Sequence, residues 1–295
     1  MELSIIAPIH NLDLTSKLSN TYMILGWLLE ESIEYYEYYS KLKINNPSAY
    51  FILDNGANEG REMAPADLMF WAQKIKADEL VLPDTLDNGE LTYRKSIEFI
   101  NQFGSECKVS NIKLMGVVQG RTFEEFNKCY TNMINNSNIE VIGLGYRNLI
   151  RPFIDKMKLL SDDDWVKMGI TDVTTLRNEL EDNSFYYTLS RIFFLKKYVD
   201  FQNLQIKSKK IHNLGLYNPI ENKYYNKIFS PIENRIIRSN DSASLCQCAQ
   251  ADVLYDLTFG IRNKTKKLLD FKEKLTDNQL VNFYQNLQRT KIWLQ

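Results

Sequence analysis

The sequence predicts a (β/α)8 barrel of the TIM type, and three observations support this fold. Short apolar segments alternate with longer segments of helical periodicity along most of the chain. Several apolar segments end abruptly in a polar residue or a glycine, where parallel-strand barrels carry their chemistry. The length of 295 residues is close to the roughly 250 typical of such barrels. An open doubly wound sheet is disfavoured because no glycine-rich phosphate loop follows the first strand.

The apolar runs place the strands in chain order, and one of them stays ambiguous between strand and helix. Strands are expected at about residues 4–8, 50–54, 79–84, 113–119, 140–145, 210–215 and 235–241, with residues 253–257 as an eighth strand or part of a helix. Apolar residues at helical spacing predict a helix within residues 19–42. Pro65 suits the first position of the next helix, and Thr122 begins another with a capping box.

A single domain spanning residues 1–295 is the simplest organisation. The regular alternation of strand and helix patterns stops after the fifth expected strand, so residues 148–185 are interpreted as an insertion. Thr276 and Gln279 have the spacing of a helix cap, which predicts a C-terminal helix at about residues 276–295.

Composition limits the class of protein. The net charge of −1 lacks the strongly basic balance of a dedicated nucleic-acid binder, so any such contact would need a local basic face. Four scattered cysteines do not suggest a disulfide framework. The N-terminus lacks a signal-peptide pattern, and no apolar run approaches the ~20 residues of a membrane span. We therefore expect a cytoplasmic protein without a membrane partner.

The polar groups at the strand ends are the candidate site. In a barrel of parallel strands they would converge at one mouth. An aspartate at a strand end is more often a helix cap or a turn former than a catalyst, so the argument depends on the set rather than on any member. The set comprises Asp54, Asp84, Gln119, Gly143, Gly145, His212 and Asp241.

Five segments, in order, resemble motifs of the tRNA-guanine transglycosylases. Asp54-Asn55-Gly56-Ala57 is similar to that family's Asp-Ser-Gly-Gly, and Gly116-Val117-Val118-Gln119-Gly120 to its Gly-Ile-Val-Gln-Gly. Val141-Ile142-Gly143-Leu144-Gly145 resembles its Ile-Gly-Gly-Leu segment. Leu214-Gly215 stands where the family has Met-Gly, and Asn240-Asp241-Ser242-Ala243 where its nucleophilic aspartate lies. The resemblance covers most of the chain.

The short length and the Asp-Asn-Gly-Ala form point to the phage and bacterial branch of this family, which acts on DNA. The resemblance implies exchange of guanine in DNA for a free 7-deazaguanine base such as preQ0, without a cofactor. A composition rich in Asn, Lys, Ile and Tyr fits an AT-rich phage genome, in which case the location would be the host cytoplasm.

The chemistry of base exchange agrees with the roles that the resemblance implies for two carboxylates. Breaking and remaking an N-glycosidic bond with retention at C1′ is served by a carboxylate nucleophile and a covalent glycosyl intermediate. Asp241 is the candidate nucleophile. A second group must protonate the departing guanine and accept a proton from the incoming base, and the resemblance assigns this role to Asp54.

The remaining polar residues suit recognition of the base edge. Guanine and 7-deazaguanine present N1–H and a 2-amino group side by side, and the carboxylate of Asp84 can accept both. Their O6 accepts, which suits the amide of Gln119 and a backbone N–H near Gly143 or Gly145. Which of the two glycines serves is left open, because this segment is shorter than the family's.

The chain departs from the family at the position that stacks on the base. Leu214 and Gly215 would lie against one face of the base, where the family uses methionine and glycine. The family's stacking aromatic is replaced here by Asn58. The stacking partner is therefore missing or comes from elsewhere, with Tyr146 and Tyr217 as candidates.

The zinc site of the tRNA enzymes has no counterpart in the sequence pattern. Cys246 and Cys248 lie too close to Asp241, and neither a third nearby cysteine nor a following histidine completes four ligands. We expect no zinc and no zinc subdomain. Because that subdomain helps to hold RNA, its absence argues mildly against a tRNA substrate.

Three alternatives stay open. The same chemistry could act on tRNA, the chain could be a non-catalytic subunit that binds nucleic acid, or it could be an unrelated barrel hydrolase acting on a sugar. Two basic clusters are candidate phosphate contacts, although a solvated basic face is the commoner meaning. They contain Lys209, Lys210, Lys266 and Lys267. The sequence leaves the oligomeric state undetermined.

Overall fold

The computed structural model describes residues 2–16, 18–180, 183–261 and 268–294. Across these residues, eight parallel strands form one sheet in the order β1-β8-β7-β6-β5-β4-β3-β2. The strands are β1 (Glu2–Ile5), β2 (Thr21–Leu25), β3 (Tyr50–Asp54), β4 (Glu79–Val81), β5 (Lys113–Val117), β6 (Val141–Gly145), β7 (Lys210–Leu214) and β8 (Ile237–Ser242). The sheet is a nearly closed barrel that alternates with helices, which confirms the predicted (β/α)8 class.

Helices surround the sheet. They are α1 (Leu12–Ser16), α2 (Gly26–Glu31), α3 (Ile33–Asn45), α4 (Pro65–Lys74), α5 (Gly89–Val109), α6 (Phe123–Asn135), α7 (Tyr146–Lys158), α8 (Asp162–Lys167), α9 (Val173–Glu179), α10 (Ser184–Tyr198), α11 (Phe201–Ile206), α12 (Asn222–Ile228), α13 (Pro231–Ile236), α14 (Ser244–Gln250) and α15 (Asp277–Leu294). Short 3-10 helices lie at Ile9–Asn11 and Pro219–Glu221. In the described part of the chain, no helix is both long enough and apolar enough to cross a bilayer.

The prediction of one helix within residues 19–42 was wrong at its start. Thr21–Leu25 is strand β2, buried along its whole length, and helices α2 and α3 follow it. A short run that is apolar on both faces has no periodicity to distinguish strand from helix. With β2 counted, the insertion expected at residues 148–185 follows the sixth strand. Its described residues contain most of α7, all of α8 and α9, and the start of α10.

Other boundaries also differ from the prediction. The strands expected at 79–84 and 113–119 end at Val81 and Val117, and the strand expected at 235–241 is β8, which begins only at Ile237 because residues 235 and 236 belong to helix α13. The first strand is Glu2–Ile5 rather than residues 4–8. Residues 253–257 do not supply the eighth strand, because β8 pairs with both β7 and β1 and so occupies that place in the sheet. The C-terminal helix α15 matches its expected position, and the backbone N–H of Gln279 donates to the hydroxyl of Thr276, with N and Oγ1 3.4 Å apart, as the predicted cap requires.

Side chains close the seam between β1 and β2. The backbone N–H of Met23 donates to the hydroxyl of Ser4 at 2.6 Å, and the hydroxyl of Thr21 donates to the carboxylate of Glu2. These bonds satisfy polar groups that an open sheet edge would leave unpaired. The first and last strands of the sheet are thereby held together.

The barrel interior is filled by layers of side chains that close it at the amino ends of the strands and leave it open at the carboxyl ends. At the amino ends of the strands, Arg238 pairs with the fully buried Glu79, and Tyr50 donates to the same carboxylate at 2.8 Å. The middle layer is apolar and consists of Met23, Ile52, Val81, Met115, Val117 and Val141. Because residues two apart on a strand face the same side, Tyr50, Ile52 and Asp54 run from the closed end to the open carboxyl end.

Candidate active site

A cavity of about 870 Å³ opens at the carboxyl ends of the strands, within the upper range of small-molecule sites, roughly 300–1,000 Å³. Most of the strand-end residues singled out from the sequence converge there, although they come from six different strands or the loops that follow them. The cavity is lined, among others, by Asp54, Asp84, Gln119, Gly145, Leu214, Gly215 and Asp241. The three candidate carboxylates therefore share one pocket.

Asp241 lies on β8 and is held from the neighbouring strand. Its Oδ1 accepts from His212 Nε2 and from the backbone N–H of Gly215, both at 3.0 Å. Oδ2 receives no hydrogen bond from the described residues, which leaves this oxygen available to the cavity. One oxygen is thus held and the other is free, an arrangement that suits a positioned nucleophile.

His212 is fully buried and forms the centre of a short hydrogen-bonded chain. Its Nδ1 lies 2.8 Å from the hydroxyl of Ser239, and its Nε2 contacts Asp241. A carboxylate can only accept, so Nε2 carries a proton towards Asp241, and in a neutral imidazole Nδ1 then accepts from Ser239. The sequence placed His212 in a barrel strand but did not distinguish this contact from an ordinary buried histidine.

A shift in the β7–β8 register brings Ser239 and Asp241 within hydrogen-bonding distance of His212. Ile211 pairs with Ile237, but His212 pairs with Ser239, so Arg238 is the extra residue on β8. Such a bulge changes the face to which the following side chains point. Ser239 and Asp241 consequently meet His212, while Arg238 reaches Glu79 at the closed end.

Gly215 needs the backbone freedom of glycine. Its φ of +62° lies in the left-handed region, which costs other L-residues roughly 1–2 kcal/mol. In this conformation the N–H of Gly215 points to Asp241, and its carbonyl accepts from Arg191 Nη1 at 3.0 Å. The Leu-Gly pair recognised in the sequence therefore serves to present a backbone donor.

Arg191 is a site residue that the sequence did not indicate. It lies on α10 with no exposed side-chain surface, and its Nη2 lies 2.6 Å from Oε2 of Glu221. The same guanidinium donates to the carbonyls of Leu214 at 2.9 Å and Gly215 at 3.0 Å. Helix α10 thus supplies a cation beneath the carboxyl end of β7, which fixes the peptide that holds Asp241.

Asp84 belongs to a rigid network. Its Oδ1 accepts from the Asn55 amide at 2.8 Å, and its Oδ2 from Gln119 Nε2 at 2.6 Å. Gln119 is oriented in turn by the backbone N–H of Asp87, which donates to Oε1 at 3.1 Å. Burial raises the pKa of the Asp84 carboxyl, and these two amide donors limit the rise. Asn55, which the sequence indicated only as part of a turn, is therefore a partner of Asp84.

Asp54 takes part in a turn and also faces the cavity. Its Oδ2 accepts from the backbone N–H of Gly56 at 3.0 Å, so it does form a turn. It also lines the cavity. Burial is the largest cause that raises its pKa well above the usual range, and the charge of Glu59 raises it further. The charges of Asp84 and Asp241 act in the same direction. A carboxyl group with a raised pKa is suited to carry a proton.

We expect Asp54→Asn to stabilise the protein at neutral pH. The pKa of Asp54 is raised in the folded state, so stability falls as pH rises from about 3.9, the unfolded pKa, through the folded pKa. The amide removes this penalty, and the Tm should rise at pH 7 by roughly 2–4 °C for each kcal/mol gained. The gain should vanish below the unfolded pKa, where both forms are neutral.

Thermal unfolding from acid to neutral pH measures this effect. The exposed Asp155 on α7, substituted to asparagine, is the matched control and should show little change at either pH. A Tm of Asp54→Asn that equals the wild-type Tm at pH 7 would contradict the expected penalty.

The two candidate glycines occupy different depths. Gly145 lines the cavity, whereas a Cβ at Gly143 would lie 2.8 Å from Leu214 Cδ1 and 3.1 Å from Met115 Sδ. Gly143 therefore leaves room for Leu214 within the barrel, and Gly145 is the better placed of the two to meet a ligand. Leu214 lines the cavity and packs on the apolar interior layer.

The tyrosines proposed as stacking partners are in position. Tyr146 and Tyr217 both line the cavity, and their ring centroids are 5.2 Å apart. Asn58, at the position of the family's aromatic, lines the cavity as well. Aromatic surface is thus present beside the carboxylates, although it comes from the start of α7 and from the loop after β7.

The candidate lysines lie away from the cavity or outside the described residues. Lys209 is buried at the amino end of β7, where its ammonium donates to the carbonyls of Asn136 and Ile139. Lys210 donates to the carbonyl of Arg235 at 3.1 Å at the same closed end. These positions do not favour a phosphate contact at the cavity. Lys266 and Lys267 lie outside the described residues.

The cysteines pack inside the fold. Cys246 and Cys248 lie on α14 and are buried, as expected for small apolar side chains. Across the described ranges, no group of three or more His, Cys, Asp and Glu residues is arranged to hold a metal ion.

No protein-family model matches the chain, and no curated protein matches it. The fold and the geometry of the cavity therefore carry the functional argument. The similarity to the transglycosylase motifs stays a prediction from the sequence.

Proposed function

We propose that this chain is a DNA-guanine transglycosylase, which exchanges guanine in DNA for a 7-deazaguanine base. The observation that carries the proposal is the cavity shared by Asp54, Asp84 and Asp241, with Gln119 bonded to Asp84. Carboxylates from separate strand ends stand there in different environments, as acid, base and nucleophile roles require.

Asp241 is the nucleophile in this proposal. Its free Oδ2 attacks C1′ of the target nucleotide, and the bond from C1′ to N9 of guanine breaks with its electron pair going to the base. His212 and Gly215 hold Oδ1 and so keep Oδ2 directed at the cavity. The product is a covalent glycosyl–enzyme ester.

Asp54 moves the proton. In its neutral form, which the raised pKa favours, it gives a proton to the departing guanine and becomes a carboxylate. The incoming 7-deazaguanine then loses its N9 proton to Asp54, and N9 attacks C1′ while Asp241 leaves. Each step balances with these two carboxyl groups, and the enzyme returns to its starting state.

Asp84 and Gln119 would recognise the base edge. Each oxygen of Asp84 uses one acceptor position for Asn55 or Gln119, so further positions remain for N1–H and the 2-amino group. The second N–H of Gln119 Nε2 can donate to O6. Guanine and 7-deazaguanine share this edge, which explains why one site would accept both.

The target nucleotide must leave the DNA duplex stack to enter this recessed site. Asp241 lies 5% exposed on the inner side of the cavity, so C1′ can meet it when the base leaves the stack. A tRNA substrate with an unpaired guanine would meet the same geometric requirement. The substrate is therefore tested with both nucleic acids.

Incorporation of a labelled base tests the proposal. The protein is incubated with guanine-containing DNA, or with tRNA, and with labelled preQ0, and label in the polymer is measured. We expect incorporation into DNA. Label in tRNA alone would move the assignment to the tRNA substrate, and binding without incorporation into either would support a non-catalytic subunit.

His212→Leu is expected to lower kcat of base exchange by about 10²-fold, the loss that a displacement of about 1 Å can cause. The substitution removes the donor that holds Asp241 Oδ1, so the nucleophile loses its orientation. KM for the free base should change little, because His212 is not among the residues that line the cavity.

Ser239→Ala is the matched control for His212. It removes only the distal hydroxyl of the same hydrogen-bonded chain and should cost less. Steady-state kinetics at several base concentrations separates the two parameters. An unchanged kcat in a folded His212→Leu protein would refute the positioning role.

A further inference from the structure

A second cavity, of about 460 Å³, adjoins the first at the mouth of the barrel. The two cavities share part of their lining, so an extended ligand can occupy both at once. The shared residues are Leu86, Tyr146, Arg147, Asn148 and Tyr217. Asp87, Arg151 and Tyr187 line the second cavity and not the first.

Three tyrosine rings form one wall of the second cavity. Tyr187 and Tyr217 are stacked, with ring centroids 5.2 Å apart and planes inclined by 29°. Tyr146 lies edge-on to Tyr187 at 6.2 Å and tilted to Tyr217 at 5.2 Å. The rings come from α7, α10 and the loop after β7, and each is partly exposed. This wall offers aromatic faces to a planar ligand.

Two arginines stand beside the tyrosines. Arg147 is exposed, and its Nε donates to the phenol oxygen of Tyr146 at 3.1 Å. No carboxylate of the described residues forms an ion pair with Arg147, so its charge is available to an anion. Arg151 pairs with Asp87, whose backbone N–H holds Gln119 of the first cavity.

We propose that the second cavity holds the nucleotide adjacent to the reacting guanine in an unpaired DNA strand. This inference rests on the proposed function, since the first cavity then holds the extruded guanine. The neighbouring nucleotide is joined to it by one phosphodiester and must lie at the edge of the first cavity. Its base meets the tyrosine wall, and the connecting phosphate meets Arg147.

Aromatic faces beside a free cation are the recognised combination for unpaired strands. Stacking tolerates any base, because every base has a π-face, and the cation follows the backbone. The site would therefore hold the strand without reading the neighbouring base. The segment between β6 and β7 contributes Tyr146 and Arg147 from α7 and Tyr187 from α10, which gives this segment a role in substrate binding.

Binding of an oligonucleotide without the target base isolates the second cavity. The probe is a short fluorescein-labelled single-stranded oligothymidylate with an abasic site in place of a central guanine, followed by fluorescence anisotropy. Tyr187→Leu and Arg147→Gln should each weaken its binding by about 10-fold, the loss of one stacked base or one phosphate contact.

Two matched controls lie elsewhere on the surface. Tyr284→Leu on α15 and Arg235→Gln, at the closed end of the barrel, make the same chemical changes at exposed positions and should bind the probe like the wild type.

Wild-type base exchange on the guanine-containing oligonucleotide separates the two proposals. If the wild type exchanges the base but neither Tyr187→Leu nor Arg147→Gln weakens probe binding, the second-cavity assignment is overturned and the proposed function stands. If the wild type does not exchange the base but both substitutions weaken probe binding, the transglycosylase proposal is refuted and the site for unpaired strands is retained. A wild-type protein that does not bind the abasic probe would also overturn the assignment.

Discussion

Asp241→Asn is expected to lower base exchange by on the order of 10⁴-fold or more, the loss typical when a covalent nucleophile is removed. An amide has the shape of the carboxylate but cannot form the ester with C1′. Its oxygen can still accept from His212 and from the N–H of Gly215, so the fold of the site should be preserved. The predicted effect is therefore chemical rather than structural.

Two measurements check this result. Label incorporation gives the rate, with Asp155→Asn as the control at an exposed position. Denaturing gels should reveal a covalent protein–DNA adduct with the wild type and none with Asp241→Asn. Wild-type incorporation by a correctly folded Asp241→Asn protein would eliminate the proposed mechanism, whatever the other carboxylates do.

Arg191→Met is expected to have the largest effect on stability, a loss of roughly 3–5 kcal/mol. The Arg191–Glu221 pair is almost completely removed from water, with 0% and 1% exposed side-chain surface. Deleting the guanidinium leaves the Glu221 charge buried without its partner. It also removes the donor from the carbonyls of Leu214 and Gly215. Urea denaturation of the purified protein measures the loss.

The double variant Arg191→Met/Glu221→Gln separates charge from positioning. Removing both charges should recover much of the stability, because no buried ion remains unpaired. The contacts to the Leu214 and Gly215 carbonyls stay absent, so base exchange should remain low. Arg177→Met breaks the more exposed pair with Asp162 and should cost at most about 1 kcal/mol. A single Arg191→Met variant as stable as wild type would contradict the role of the buried pair.

Local sequence was sufficient for most of the barrel. The strands that carry Asp54, Gly145 and Asp241 at or next to their ends combine a short apolar run with an abrupt polar or glycine end, a pattern that specifies strand and turn together. The same local rule failed at β2, where Thr21–Leu25 is apolar on both faces and precedes a helix. Its identity as a strand comes from pairing with β3 along the whole register.

The convergence of the carboxylates also followed from the sequence, because parallel strands deliver their carboxyl ends to one face. Asp54, Asp84, Gln119 and Asp241 could be named without coordinates. Their individual roles could not, since a role depends on which donors approach each oxygen. Asn55 at Asp84 illustrates this point, because its local pattern indicated only a turn.

By itself, the sequence determined the barrel class, the ends of most strands and the set of carboxylates at the mouth, because these depend on short-range periodicity and turn chemistry. The tertiary structure alone decided what holds that set in place. His212 meets Asp241 through a register shift between two strands, and Arg191 reaches Gly215 from a helix more than one element away. Contacts between residues distant in the chain leave no local pattern, so the positioning of Asp241 became visible only in the folded molecule.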